Sequence, residues 1–253
     1  MNQTETYVLC EGYHDRAFWA GALSYLKCNR PEQKVKDPWG KLVVSGQFGY
    51  TTPGNHFIRI TPVSGNGSIL HFARQRINRR NVDKVDRIVM CIDSDLLLDE
   101  FSVSHTDSNN NELLAWTRQI DSDAIEEGAY IRLKDGTMVN LIEWKTTSTE
   151  AGHGVPGKQT LERIICSALA ATFPQRAYDV QQWLDSRHEK PGKSSAKEHA
   201  FSYLAGWFAD SGSYEGAIAQ WWNDPNIREH IIAELEKTGI WSIMHAIACT
   251  NNN

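Results

Sequence analysis

Tyr7-Val8-Leu9-Cys10-Glu11-Gly12-Tyr13-His14-Asp15 and Asp86-Arg87-Ile88-Val89-Met90-Cys91-Ile92-Asp93-Ser94-Asp95 are the two stretches whose reading decides the fold. In the first, a short β-rich run stops at Glu11-Gly12, and from Asp15 the apolar residues Ala17, Phe18, Leu23 and Leu26 recur at helical spacing. In the second, a continuous apolar run stops at Asp93-Ser94-Asp95. Such a run suits a strand buried on both faces of a parallel sheet. Between the two, residues 57–63 predict a strand, Ser64-Gly65-Asn66-Gly67-Ser68 a glycine-rich turn, and 69–79 a helix. Strand–helix–strand–helix–strand at this spacing predicts an α/β fold, a mostly parallel sheet with right-handed crossovers and helices on its faces.

Outward from this core the pattern loosens and then turns helical. Residues 29–56, rich in Pro, Gly and Lys, read as an irregular insertion with one short strand at Leu42-Val43-Val44. Residues 104–111 form a polar loop and 112–122 a helix; 130–133 and 138–144 form a hairpin about Asp135-Gly136. After a loop at 146–158, helices are expected at 159–171, 175–187, 195–209, 213–222 and 226–237. The expected division is an α/β core over 1–150 and a helical C-terminal region over 151–253 packed on it.

Composition narrows the function classes. With 253 residues, 41% apolar and 23% charged, the chain has ordinary globular usage, which excludes wholesale disorder and a fibrous repeat. A formal net charge of −5 makes the chain a poor non-specific nucleic-acid coat, because duplex affinity rests largely on neutralising phosphates. Nucleic acid would have to be met locally, by a basic patch or by metal ions held on carboxylates. The five cysteines are odd in number and form no C-x-x-C pair, against a disulfide framework or zinc ribbon; Cys10 and Cys91 read as core thiols. The start, MNQTETYVLCEG, has no basic n-region, and no stretch approaches the roughly 18 apolar residues of a membrane span. The expectation is a soluble cytoplasmic protein without a membrane partner.

The chemistry lies in the two carboxylate groups. Glu11 closes the first strand, where open α/β sheets place their ligands, and Asp15 opens the following helix. The plainer reading makes Asp15 a helix cap and Glu11 a solvated loop residue. Asp93 and Asp95 stand two apart in extended backbone and so project the same way. Their repulsion calls for a cation or a shared proton, and magnesium or manganese, which take oxygen ligands, would supply the charge. Asp-x-Asp alone is an ordinary turn motif; both groups closing strands of one sheet is a stronger pattern.

V-L-C-E-G-Y-H-D followed by V-M-C-I-D-S-D resembles the Toprim family, which includes topoisomerases, bacterial primases, RNA-maturation nucleases and the OLD nucleases. The likeness spans roughly residues 5–145 in architecture and rests on those two short motifs. It implies that Glu11 is the family's glutamate, Asp93 and Asp95 its Asp-x-Asp pair, and Asp15 the second acid of the E-G-x-x-D variant of the stand-alone and OLD-like branches. In Gly154-Val155-Pro156-Gly157-Lys158-Gln159-Thr160-Leu161-Glu162, Glu162 is similar to a later acid of OLD-like proteins; Lys197 is the candidate for their lysine, with Lys193 and Lys158 competing. An acid in a first helical turn can also merely favour the helix dipole, and a lysine on a helix is usually solvated.

The resemblance implies a Mg2+- or Mn2+-dependent nuclease cleaving DNA or RNA, in phage defence or nucleic-acid processing. Glu11 and Asp15 would hold one ion, Asp93 and Asp95 a second with Glu162, and Lys197 would offset transition-state charge. OLD-like proteins often work beside an ATPase; this sequence has no Walker motif, so an ATPase would be a separate chain. Oligomeric state stays open, a homo-oligomer included. The alternatives are a small-nucleotide phosphohydrolase or nucleotidyl transferase, and a catalytically quiet binding subunit.

Arg74, Arg76, Arg79, Arg80, Lys84 and Arg87 fall within fourteen residues, opposed by Asp83 and Asp86. Arg74 and Arg76, early on the helix, are the expected phosphate contacts; a solvated helix face is the competing reading. Trp183, Trp207, Trp221, Trp222 and Trp241 read as core. His14 borders the acidic site as a bystander, and Gly65-Asn66-Gly67-Ser68 lacks the lysine of a P-loop.

Overall fold

The computed structural model describes residues 5–29, 35–36, 42–43, 49–63, 66–94, 109–187, 196–208 and 214–251. In chain order these form β1 (Glu5–Cys10), α1 (Tyr13–Tyr25), β2 (Val35–Lys36), β3 (Leu42–Val43), β4 (Gly49–Thr51), β5 (Phe57–Pro62), α2 (Asn66–Asp83) and β6 (Val85–Asp93). Then follow α3 (Asn109–Arg118), β7 (Ile125–Glu127), β8 (Tyr130–Arg132), β9 (Met138–Trp144), α4 (Leu161–Thr172), α5 (Pro174–Asp185), α6 (Ala196–Trp207), α7 (Tyr214–Trp221), α8 (Pro225–Lys237) and α9 (Ile240–Ala248).

Seven strands form one sheet in the order β4-β5-β1-β6-β9-β8-β7. The three strands predicted from the apolar runs are its parallel centre: Val8 of β1 lies opposite Ile60 of β5 and Val89 of β6. The margins are antiparallel, with β4 on β5, β8 on β9, and β7 on β8. The α/β class is therefore as expected, a sheet flanked by helices and followed by a helical C-terminal region. Within 29–56, β2 and β3 pair with each other, and β4 joins the main sheet.

The chain divides into two compact units. One comprises Met1–Ile92, Leu96–Glu143 and Ile243–Asn253; the other comprises Asp93–Asp95 and Trp144–Ser242. In the first, alternation puts Tyr7, Leu9, Ile88, Met90 and Ile92 on one face of the sheet, where Ile69, Ala73 and Ile77 of α2 and Leu113 and Trp116 of α3 cover them. Val8, Cys10, Val89 and Cys91 take the other face, where Trp19 of α1 donates Nε1–H to Cys91 Sγ at 3.3 Å. Helix α2 outruns its predicted span at both ends and stops at Lys84, whose φ of +50° breaks the helical repeat.

The tail of the chain is part of this unit. Asn251 makes an antiparallel bridge with Asn55, and Thr52 Oγ1 donates to Thr250 O at 2.7 Å. Gly54 is required at this crossing: a Cβ there would stand 2.8 Å from Asn251 Cα. In the second unit α4 is the central helix, with Leu161 through Cys166 all buried, and it packs against α5, α6 and α8. Among the described residues no helix is long and apolar enough to cross a membrane.

Candidate functional site

Register sets Cys10 opposite Cys91, so β1 and β6 finish at the same edge of the sheet; Glu11 is the residue after β1 and Asp93 the last of β6. Gly12, in extended backbone, is the N-cap of α1, and its N–H donates to Asp15 Oδ2 at 3.2 Å. Asp15 thus reaches back over the first turn as the acid of a capping box. Glu11 and Asp15 are only 5% and 7% exposed. Their charge is felt in the strands below: burial first, then Asp15, pushes the Cys10 and Cys91 thiols well up, with Glu11 adding to both. Both thiols stay protonated, in keeping with core roles.

Asp93 performs a structural task that its sequence neighbourhood does not announce. Its Oδ1 accepts the backbone N–H of Leu161, at 3.1 Å, and so satisfies an orphan donor at the start of α4. Thr160 holds the N-cap position, yet its own hydroxyl makes no cap bond; Oγ1 is buried without a hydrogen-bond partner among the described residues. Glu162 lies in the same first turn, and both Asp93 and Glu162 are 5% exposed. The Glu162 charge reaches one turn along, where burial first and then Glu162 push the Cys166 thiol well up. Two buried carboxylates and a buried hydroxyl thus gather at one helix N-terminus, where the helix dipole favours negative charge.

The loop leading to α4 is fastened by Arg163, which is 1% exposed. Its guanidinium donates to Thr146 Oγ1, to the carbonyls of Ser148 and Glu150, and to those of Pro156 and Gly157, all at 2.8–3.0 Å. Gly154, in the left-handed region at φ +69°, passes so close to α5 that a Cβ would lie 2.7 Å from Ala177 O. Neither Thr160 nor Arg163 stands out in the sequence. The only local signal is the Thr-x-Glu spacing ahead of an apolar run, a helix-start pattern.

Of the remaining candidates, Asp95, Lys193 and the side chain of Lys197 lie outside the described residues, and Lys158 is exposed in the loop before α4. Among the described residues no group of three His, Cys, Asp or Glu converges as a metal-binding set. His14 is half-buried in the first turn of α1. Arg74 and Arg76 are half-buried over aromatic rings, Arg74 5.7 Å from the Trp116 centroid and Arg76 4.7 Å from that of Tyr7. Arg80 is tied to Asp121 and Asp135, and Arg87 donates to Met138 Sδ while burial lowers its pKa. Trp207 and Trp222 are buried as expected, whereas Trp183 is exposed beneath the Arg187 guanidinium, 4.2 Å from its ring.

No family model matches the chain, and no curated protein matches it. Among solved structures, the hypothetical protein PH0156 from Pyrococcus horikoshii OT3 is similar, with a TM-score of 0.67 at 15% identity over 97% of this chain and 99% of that one. The likeness is one of fold, and it extends over both units.

Proposed function

We infer that the chain is a divalent-metal-dependent nuclease of the Toprim type, cleaving phosphodiester bonds in DNA or RNA. The observation that carries this reading is the pair of buried carboxylates, Asp93 and Glu162, with the buried Thr160 hydroxyl at the N-terminus of α4. Two carboxylates brought to one helix start repel each other, and a cation held between them would offset that repulsion. The donor set is all oxygen, which suits magnesium or manganese rather than a soft metal. Glu11 and Asp15 would hold one ion; Asp93, Asp95 and Glu162 would hold a second, with Thr160 Oγ1 as a neutral donor. A bound ion would activate water and stabilise the leaving oxygen of the phosphodiester. Of the chain's own groups, Asp15 keeps the turn after β1 closed through the Gly12 N–H, and Asp93 fixes the start of α4, so that both acids are held in place before substrate arrives.

The test is degradation of linear, circular and structured RNA and DNA substrates with manganese, comparing the wild type with Asp93→Asn and Glu11→Gln. Metal-dependent cleavage lost in both variants supports the reading. Cleavage equal in wild type and Asp93→Asn refutes it, and hydrolysis of mononucleotides alone would favour the small-nucleotide alternative.

A further inference from the structure

A second chemically equipped cluster lies away from the carboxylates, where α1 ends against the chain's tail. Lys27, at φ +65°, turns the chain out of α1 and delivers Cys28, whose N–H returns to Leu23 O. The Cys28 thiol is 4% exposed and points to Ala248 O, with Sγ 4.0 Å away. That carbonyl belongs to the peptide joining Ala248 to Cys249. Standard geometry places a carbonyl oxygen about 2.8 Å from the next Cα, so Cys249 Cα lies within about 7 Å of Cys28 Sγ. Cys249 is exposed, directly after the last turn of α9. One turn back, the exposed His245 sets Nδ1 3.6 Å and Nε2 3.8 Å from Cys249 Sγ.

We propose that Cys249 and Cys28 form an oxidation-sensitive pair, in which Cys249 is the peroxide-reactive thiol, Cys28 the resolving thiol and His245 the acceptor of the Cys249 proton. The oxidant class is a hydroperoxide. The Cys249 sulfur attacks one peroxide oxygen, the O–O bond breaks, and the leaving oxygen takes a proton and departs as water or alcohol. Cys249 is left as a sulfenic acid. The Cys28 sulfur then attacks the Cys249 sulfur; the S–O bond breaks, and water leaves with the proton from Cys28. Two thiols are thereby oxidised to one disulfide, and one hydroperoxide is reduced.

The assignment of roles follows from the surroundings. Only Cys249 among the five thiols is exposed, so only it meets peroxide first. Burial, and then the charge of Cys249 itself, pushes the Cys28 thiol up to about 11, so it is a poor first nucleophile but sits close enough to resolve. Cys10, Cys91 and Cys166 are buried, with thiols pushed well up, and serve as internal controls. A metal site is the weaker reading, because Cys28, His245 and Cys249 do not converge as a metal-binding set. The disulfide would join the end of α1 to a tail already pinned at Thr250 and Asn251. The bound of about 7 Å from Cys28 Sγ to Cys249 Cα keeps the two cysteines within reach of disulfide geometry.

The experiment treats the reduced full-length chain with stoichiometric hydrogen peroxide, blocks free thiols and maps the peptides by mass spectrometry. The expected product is an intramolecular Cys28–Cys249 link, reversed by dithiothreitol and accompanied by a higher melting temperature. Cys249→Ser, at an exposed position, should lose the link completely and leave the other cysteines unmodified. Cys28→Ser, its folding checked by its melt, should lose the link and accumulate a dimedone-reactive sulfenic acid at Cys249. His245→Asn should slow formation by about tenfold or more, as expected when a positioned proton acceptor is removed. A wild type that gives only intermolecular Cys249 dimers, only sulfinic acid at Cys249, or no reaction overturns the proposal.

Discussion

Replacing Arg163 by methionine removes five donors and keeps most of the volume, so the change reports on hydrogen bonding rather than on a cavity. The guanidinium bonds five acceptors, four of them backbone carbonyls of residues 148–157. A hydrogen bond to a charged group is worth about 1.5–3 kcal/mol net, so simple addition would give roughly 7–15 kcal/mol. That sum is too large for two reasons. Residues 147–153 are exposed, so the Ser148 and Glu150 carbonyls can turn to water, and the unfolded chain of the variant no longer has a guanidinium to desolvate. The loss expected is therefore about 3–5 kcal/mol, the range for breaking a buried charged network, against a total stability of about 5–15 kcal/mol.

Urea denaturation of Arg163→Met measures this directly, and limited proteolysis across 147–158 reports whether the loop has come loose. Arg163→Lys keeps the charge but offers three donors without the planar fork, and should recover less than half of the loss. A methionine variant within about 1 kcal/mol of wild type, with the loop cut no faster, would show that the loop is held by Gly154 and Gln159 rather than by Arg163, and would refute the accounting.

Asp93→Asn keeps an acceptor for the Leu161 N–H and should cost under about 1 kcal/mol, whereas Asp93→Ala should cost about 1–2 kcal/mol, both read from thermal melts. In the cleavage assay each should fall on the order of 100-fold or more. Burial pushes the Asp135 carboxyl up, but bonds from Thr137 and Arg80 more than offset it and leave the pKa lowered. A lowered folded-state pKa gives stability that is present above the unfolded carboxyl pKa and is lost as pH falls through the folded value. Asp135→Asn should therefore flatten the acid limb of the stability–pH curve below about pH 4, and an unchanged limb would remove the Arg80–Asp135 pair from the account. Arg74→Ala with Arg76→Ala should lower the salt slope of nucleic-acid binding by roughly one to two units. The same pair should cost about 1 kcal/mol per lost cation–π contact, so a stability loss with an unchanged slope would assign both arginines to packing alone.

The parallel centre of the sheet was legible because β1 and β6 are short apolar runs with abrupt polar ends, and α2 carries helical spacing between them. The edges were not. Ile125-Glu126-Glu127 has two acids in three residues and is a strand only because β8 offers it a partner, as β5 does for Gly49-Tyr50-Thr51. Helix α9 was missed for the opposite reason. Ile240-Trp241-Ser242-Ile243-Met244-His245-Ala246-Ile247-Ala248 is apolar almost throughout, and its buried Ile240, Met244, Ile247 and Ala248 show their spacing only once the helix is known.

The acids were legible by type and position, and their local duties were not. Asp15 follows Gly12 by three residues, so its cap can be read from spacing; Asp93 reaches its donor across 68 residues, and no local pattern signals that. The same long reach separates the two accounts of Asp93. If it serves only as a cap at the positive end of α4, asparagine should nearly replace it, and added metal should leave the melts of both proteins unchanged. If Asp93 and Glu162 share a cation, removing one charge relieves their repulsion. Asp93→Asn would then melt at or above the wild type in chelator, and manganese would raise the melt of the wild type alone. A wild type and an asparagine variant that respond alike to manganese would leave Asp93 as a cap and take it out of the nuclease.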